Sequence, residues 1–392
     1  MENCGSGLAR ARGFAAITTA LSRILKLLRA RKSDHLTEVN PWLTEVNPLH
    51  AGMNAWDSEG RHFVAVFAGK VYRSTDGGKT YDLVFTAPDN PDENRLLFVD
   101  SRDHIFSSCR GQTSGTKGRL YRSINHGDSF DEVFGKPIWN MDEDADGALY
   151  IGEYEYRPRV QGNARVFKSV DGGENWTDIS PITAWDNQYH VHNVRVDPAT
   201  GWLYCAIGDT FPTGLWRSKL KDGSDWVHKL DNARGDAHFI GIGFLNGGVY
   251  VSDDKKAGEV WKFTDDGTDN LQTNYTVVLK TGLVHNSYYL EKDLKGRLVV
   301  SFAPTNAGAL FGGQPKGRVY TSEDGMTWTK ILEVNSMPYN KWFNSKKVIL
   351  SEWTLRDGTR KFRSKNDNLF TYINSNSLRL YKEKVVRACA QN

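Results

Sequence analysis

Ser169-Val170-Asp171-Gly172-Gly173-Glu174-Asn175-Trp176 is one copy of a pattern, Ser-x-Asp-Gly-Gly-x-x-aromatic, that recurs along the chain. A second copy is Ser74-Thr75-Asp76-Gly77-Gly78-Lys79-Thr80-Tyr81. A third, one residue shorter, is Ser322-Glu323-Asp324-Gly325-Met326-Thr327-Trp328. Looser copies run from Ser123 to Phe130, with Asn125 and Gly127, and from Ser218 to Trp226, with Asp222 and Gly223. Two eroded copies, Thr264-Asp265-Asp266-Gly267 and Ser364-Lys365-Asn366-Asp367, bring the set to seven. A period mostly in the forties of residues predicts an array of small supersecondary units.

Most copies follow a short alternating segment, such as Val71-Tyr72-Arg73, Leu120-Tyr121-Arg122, Leu215-Trp216-Arg217 or Val260-Trp261-Lys262. A second strand follows the turn, so each unit predicts a β-hairpin. The Asp carboxylate can accept turn N–H groups, Gly allows positive φ, and the Ser hydroxyl adds a local bond. The aromatic residue would anchor the turn on the sheet. On this reading the Asp residues hold turns and are not catalytic acids.

The motif resembles the Asp-box, or BNR, repeat of sialidases, sortilin-type receptor domains, xyloglucanases and a photosystem II assembly factor. The resemblance covers roughly residues 49 to 380 and implies an all-β fold, a seven-bladed β-propeller of four-stranded antiparallel blades. The expected organisation is a basic amphipathic helix and linker over 1–48, the propeller over 49–382 and a tail over 383–392. The family's functions diverge, so the fold names no reaction. Sialidases carry an Arg in a Phe/Tyr-Arg-Ile-Pro segment ahead of the first box. No such segment precedes Ser74, and the usual sialidase propeller has six blades. No sialidase catalytic residue is therefore carried over.

Residues 1–33 hold seven Lys or Arg and one acid, Glu2, against a net charge of +3 for the whole chain. The remainder is slightly acidic, which argues against a nucleic-acid-binding propeller. Phe14, Ile17, Leu21, Ile24, Leu25 and Leu28 recur at helical spacing, with Arg12, Arg23 and Lys26 largely off that stripe. Such a short basic helix predicts no transmembrane span and makes a poor secretory signal. It suits contact with a membrane surface or a partner, an organellar presequence, or no role. A cytoplasmic or organellar location is expected over a secreted one. Leu36-Thr37-Glu38-Val39-Asn40-Pro41 is repeated at Leu43-Thr44-Glu45-Val46-Asn47-Pro48 and reads as a duplicated linker. The four cysteines are scattered without a C-x-x-C pair. Cys109 and Cys205 fall on strands of non-adjacent blades and should not bridge.

The propeller resemblance implies that the inner-strand starts and the connections between second and third strands share the top face, away from the boxes. The inner strands are expected to begin near His50, Arg95, Trp139, His190, His238 and His285, with a seventh near Lys341-Trp342. His190 and His192 are two apart, so a regular strand would put them on one face. The top connections add Arg110, Glu153, Glu155, Tyr156, Arg157, Asp209, Asp253, Asp254 and Glu352.

Three readings of this histidine group stay open: a divalent metal held by His190, His192, His238 and His285; acid–base catalysis; or satisfied polar residues in a wet channel. The catalytic candidates are His190, His192, His238, Glu153 and Arg157. The substrate-binding candidates are Arg95, Arg110, Tyr156 and Trp139, with an arginine neutralising a carboxylate by bidentate contact. Trp185 and Trp353 are further sugar-stacking candidates. The functional expectation is a glycoside hydrolase or polysaccharide lyase acting on an oligo- or polysaccharide. The alternative is a non-catalytic binding propeller.

Overall fold

The computed structural model describes residues 52–335, apart from 67–68, 77–79, 89–92, 111–117, 155–164, 182–189, 209–213, 232–237, 254–257, 273, 282–284, 294–295 and 305–315. It also describes strand residues 36–37, 43–49, 368–372 and 378–383. His50, Glu155, Tyr156, Arg157, Asp209, Asp254, Glu352, Trp185, Trp353, Lys341-Trp342 and the basic segment at 1–33 lie outside the described residues.

The hairpins join into antiparallel sheets, five of them built wholly from strands consecutive in sequence. The first runs Gly52–Trp56, His62–Val66, Lys70–Ser74, Asp82–Thr86. Four more four-stranded sheets open with the inner strands Glu93–Val99, Ile138–Glu143, His190–Val196 and Phe239–Leu245. The sixth opens with His285–Lys292 and carries Leu36–Thr37 as a fifth strand on Thr329–Asn335. A three-stranded sheet joins both ends of the chain. Leu378–Glu383 pairs with Leu43–Leu49 on one side and Asn368–Tyr372 on the other. The strand Leu43–Leu49 thus crosses the boundary expected at 48/49.

Each inner strand packs beside the inner strand of the next sheet, and Asn368–Tyr372 lies against Gly52–Trp56. The fold is an all-β propeller, and no helix occurs among the described residues. The hydrophobic cores lie between blades. Ala55, Phe63 and Val71 of the first meet Leu97, Val99 and Ile105 of the second. Tyr150 and Val166 of the third meet Val191, Val194 and Cys205 of the fourth. A blade has two faces to bury and no core of its own, so stability comes from neighbour-on-neighbour packing.

The repeated turns are held as their chemistry predicts. Asp171 accepts bonds from Ser169 Oγ at 2.7 Å and from the backbone N–H groups of Glu174 and Asn175, each at 3.0 Å. Asp324 does the same for Ser322 Oγ, Met326 N and Thr327 N. Backbone hydrogen bonds from Asn175 hold the Asp171 carboxyl well below the usual carboxylate range, and bonds from Thr327 and Met326 do so for Asp324. Gly173 sits at φ +84°, where an added Cβ would also meet the Phe106 ring at 2.6 Å. Trp176 packs against the core between the second and third blades.

Two looser copies are built differently from their sequence reading. In the fourth blade the residue capping Ser218 is Asp225, which also accepts from Lys219 N and Leu220 N. Asp222 caps Ser224 instead. The extra residues between Ser218 and Trp226 move the acceptor three places along. In the fifth blade Asp266 holds Thr268, while Asp265 points into the neighbouring blade, onto Arg217.

That contact belongs to a recurring clasp. The basic residue just before the box Ser reaches the turn of the next blade: Arg73 to the His126 carbonyl, Arg122 to the Gly172 carbonyl, Lys262 to the Met326 sulfur. Removing a turn acceptor should therefore loosen both a hairpin and a blade junction. Asp171→Ala is expected to cost about 1–3 kcal/mol, the range for charged hydrogen bonds lost. Chemical denaturation reads this as a lower midpoint, and an unchanged midpoint would show that the carboxylate does not hold the turn.

Candidate functional site

The inner strands do not run as regular strands through their first residues. In the third blade Ile138 pairs with Glu153 and Asn140 with Gly152, leaving Trp139 as an extra, bulged residue. In the fourth, Val191 pairs with Ile207 and Asn193 with Ala206, leaving His192 bulged. A bulge bends the strand and re-aims a side chain. The two-residue spacing of His190 and His192 thus does not put them on one face of a regular strand. The bulge nonetheless brings their rings together, with centroids 5.9 Å apart and planes 18° from parallel.

The cluster spans three blades. Tyr154, at the end of the third blade's second strand, bridges to His190 and stacks on it at 4.2 Å. Trp139 meets Tyr154 edge-on at 4.4 Å and His192 at 5.9 Å. His238, just before the fifth inner strand, lies 6.5 Å from His192, and its backbone N–H donates to Asp253 at 2.9 Å. His190, His192 and His238 are all buried, as are Glu153 and Trp139, while Tyr154 is partly exposed.

His192 has the most specific setting. Its Nδ1 lies 2.9 Å from the Phe239 carbonyl oxygen of the next blade. A carbonyl only accepts, so Nδ1 carries a proton, and in the neutral ring the lone pair is then on Nε2. The ring lies over Gly208, where any Cβ would fall within it. Glu153 takes an ion pair from Lys136 Nζ at 2.7 Å. Cys109 and Cys205 are buried free thiols; burial pushes Cys109 up to about 12 and raises Cys205 too, so neither is a ready nucleophile.

Four candidates are therefore brought together, His190, His192, His238 and Trp139, while Glu153 is paired with Lys136. Arg95 and Arg110 are placed by their backbones only, in the paired strands Glu93–Val99 and Ile105–Arg110, and His285 opens the sixth inner strand opposite Pro304. Among the described residues no group of three or more His, Cys, Asp or Glu is arranged to hold a metal ion. Lys136 and the bulges were not singled out as site features by the sequence. Bulges are set by pairing between strands, which strand periodicity does not report.

No protein-family model and no curated protein sequence matches the chain. Solved structures do resemble it. A family GH74 xyloglucanase from Xanthomonas campestris aligns over 74% of this chain at TM-score 0.52 and 17% identity. The chain spans 47% of that enzyme's length. A catalytically inactive virginiamycin B lyase from Staphylococcus aureus, with quinupristin, aligns over 87% of this chain and 98% of its own at TM-score 0.57 and 10% identity. YCF48 bound to a peptide aligns over 89% and 97% at TM-score 0.54 and 10% identity. These likenesses extend to the fold, the β-propeller, and their functions differ among themselves.

Proposed function

We propose that this propeller is a carbohydrate-active enzyme of the polysaccharide lyase type, working at the mouth of its channel between the third and fifth blades. The proposal includes the seven-blade count and an N-terminal boundary near the strand Leu43–Leu49. The observation that carries it is His192, whose Nδ1 is committed to the Phe239 carbonyl so that Nε2 is left basic. Elimination from a uronate takes the proton on the carbon beside the carboxylate and expels the glycosidic oxygen from the next carbon. The electron pair of the C–H bond becomes the new double bond, and the departing oxygen takes a proton. One neutral imidazole able to take that proton suits this step. Glycoside hydrolysis needs two acting carboxylates. Here Glu153 is paired with Lys136 and Asp253 is bonded to the His238 backbone.

In this reading His190 and His238 flank the base. Arg95, Arg110 and Arg157 are the candidates to neutralise the uronate carboxylate, with Tyr156 and Trp139 beside the sugar. The xyloglucanase and lyase neighbours support a catalytic propeller, and the peptide-bound neighbour supports the second reading, a non-catalytic binding scaffold. Uronate polysaccharides and neutral glycosides should be incubated with full-length protein, with and without chelator. The expected result is an ultraviolet-absorbing unsaturated product, formed at least ~100-fold more slowly by His192→Gln. No product across the screen would leave the binding reading in its place, and an undiminished rate in His192→Gln would remove His192 as the base. Loss of product on chelation alone would select the metal version, in which His190, His192, His238 and His285 hold the ion.

A further inference from the structure

The bulges at Trp139 and His192 each turn two successive side chains toward the next blade. In the fourth blade both side chains of the pair are anchored. His192 Nδ1 and Asn193 Nδ2 donate to successive carbonyls of the fifth blade, Phe239 and Ile240, each at 2.9 Å. In the third blade the Trp139 ring lies 5.9 Å from that of His192, and Asp142 lies 3.6 Å from Arg195 Nη1. These two contacts share one sequence offset, and the same offset sets Asn140 opposite Asn193. Pairing is regular from Asn140 to Glu143, so Asn140 shares a strand face with Asp142 and looks toward the fourth blade.

Both amides are buried, Asn140 at 5% and Asn193 at 2% exposed. With Asn193 Nδ2 on the Ile240 carbonyl, its Oδ1 is turned away from that bond and meets no hydrogen-bond donor among the described residues. Asn140 Oδ1 meets none either. Buried acceptors are almost always paired, because an open one forfeits the bond it made to water. Two of them on facing bulges, next to the rings of His192 and Trp139, mark a place that a donor fills.

Two residues further along each strand the channel is tied across. Arg195 pairs with Asp142 of the third blade and with Glu291 of the sixth. The fifth blade lets the sixth approach: a Cβ added at Gly241 would meet Leu290 Cβ at 2.7 Å. Two carboxylates around one guanidinium leave this floor negative and its cation already paired. A ligand group resting above it is therefore favoured when it donates hydrogen bonds and disfavoured when it is an anion.

We propose that Asn140 and Asn193 are a hydroxyl-binding subsite, their open Oδ1 atoms accepting from two hydroxyls of one sugar ring. The ring stands on this subsite by its hydroxyl edge, and a uronate carboxylate is directed away from the floor. That the donor is a sugar rests on the carbohydrate reading above; the open acceptors do not. Both residues set affinity, and proton transfer stays with His192.

The probes are the methyl glycosides of galacturonate, glucuronate and galactose. Their binding to full-length protein is followed by ligand-observed NMR titration, and urea midpoints are measured on the same samples. Asn140→Leu nearly keeps the side-chain volume and removes the open oxygen. It should weaken the bound probe at least about fivefold while the urea midpoint stays level or rises. Asn193→Leu should weaken binding as much, with a lower midpoint, because the Ile240 carbonyl loses its donor. If that variant does not fold, Asn140→Leu alone decides.

Unchanged affinity in Asn140→Leu would overturn the subsite. So would a lowered midpoint in that variant, which would make the amide a structural group, and so would failure of every probe to bind the native protein. Binding that depends on Asn140 in a protein that makes no unsaturated product keeps the subsite and removes the lyase reading. Product formation with binding indifferent to Asn140 does the reverse.

Discussion

Asp265→Ala should be the most destabilising of the single substitutions considered, at about 3–5 kcal/mol, the cost of breaking a buried ion pair from one side. Asp265 accepts from Arg217 at 2.8 Å, lies 3.2 Å from Lys229 Nζ, and takes the Tyr204 hydroxyl at 2.9 Å. Arg217 is 1% and Lys229 0% exposed. Without the carboxylate, two buried cations of the fourth blade lose the anion they share with the fifth. The remaining partners are weaker substitutes: Asp269, which is largely exposed, and the Thr268 and Asn270 carbonyls that Lys229 already uses. Asp269→Ala is the control and should cost under about 1 kcal/mol, as exposed pairs do. Urea denaturation of the two variants separates them. A loss under about 1 kcal/mol in Asp265→Ala would show that the junction does not depend on this charge.

Acid should unfold the protein in a window set by His62. This residue is fully buried, stacked on Trp56 at 4.3 Å, with Nδ1 2.5 Å from the Tyr81 hydroxyl. Burial lowers it from the ordinary 6.5 to about 3. The native state thus keeps His62 neutral while the unfolded chain takes up a proton below 6.5. Stability contributed by the neutral form is complete above that value and falls as pH drops toward the folded value. One pH unit is worth about 1.4 kcal/mol, so the loss reaches about 2 kcal/mol by pH 5. The depressed Asp171 and Asp324 act in the same direction but only lower, once unfolded-state carboxylates begin to protonate. The slope between pH 6.5 and 5 therefore isolates the histidine. In His62→Phe that slope should flatten by most of this amount. An unchanged slope would mean that His62 charges in place.

His62 was not among the residues the sequence pointed to, although it pairs directly opposite Ser74, the first residue of the first box. Its partner Tyr81 is the aromatic residue of the first box, and Trp56 lies on the inner strand six residues before it. The cage needs three strands of one sheet to be assembled before it exists. The candidate site shows the same division. His190, His192, His238 and Trp139 were legible because the boxes count off the blades, and counting from them locates each inner-strand start. The stack of Tyr154 on His190 was not, because it crosses between blades. The proton placement on His192 depends on the Phe239 carbonyl, 47 residues away.

The sequence by itself determined the turns, the hairpins and the propeller built from them. These rest on Ser, Asp and Gly within a few residues of one another, whose hydrogen bonds close locally whatever surrounds them. It also determined which face the turns occupy, and hence that their acids hold structure. Only the tertiary structure decided the rest. Asp225 replaced Asp222 as a cap because two nearby carboxylates competed for Ser218, and the folded turn geometry selected one. Asp265 keeps Gly267 N of its own turn and also takes Arg217, because that cation is buried in the neighbouring blade and a buried charge requires a partner. The bulges arose where inner strands pair with their neighbours, and the one at His192 set its ring 5.9 Å from that of His190.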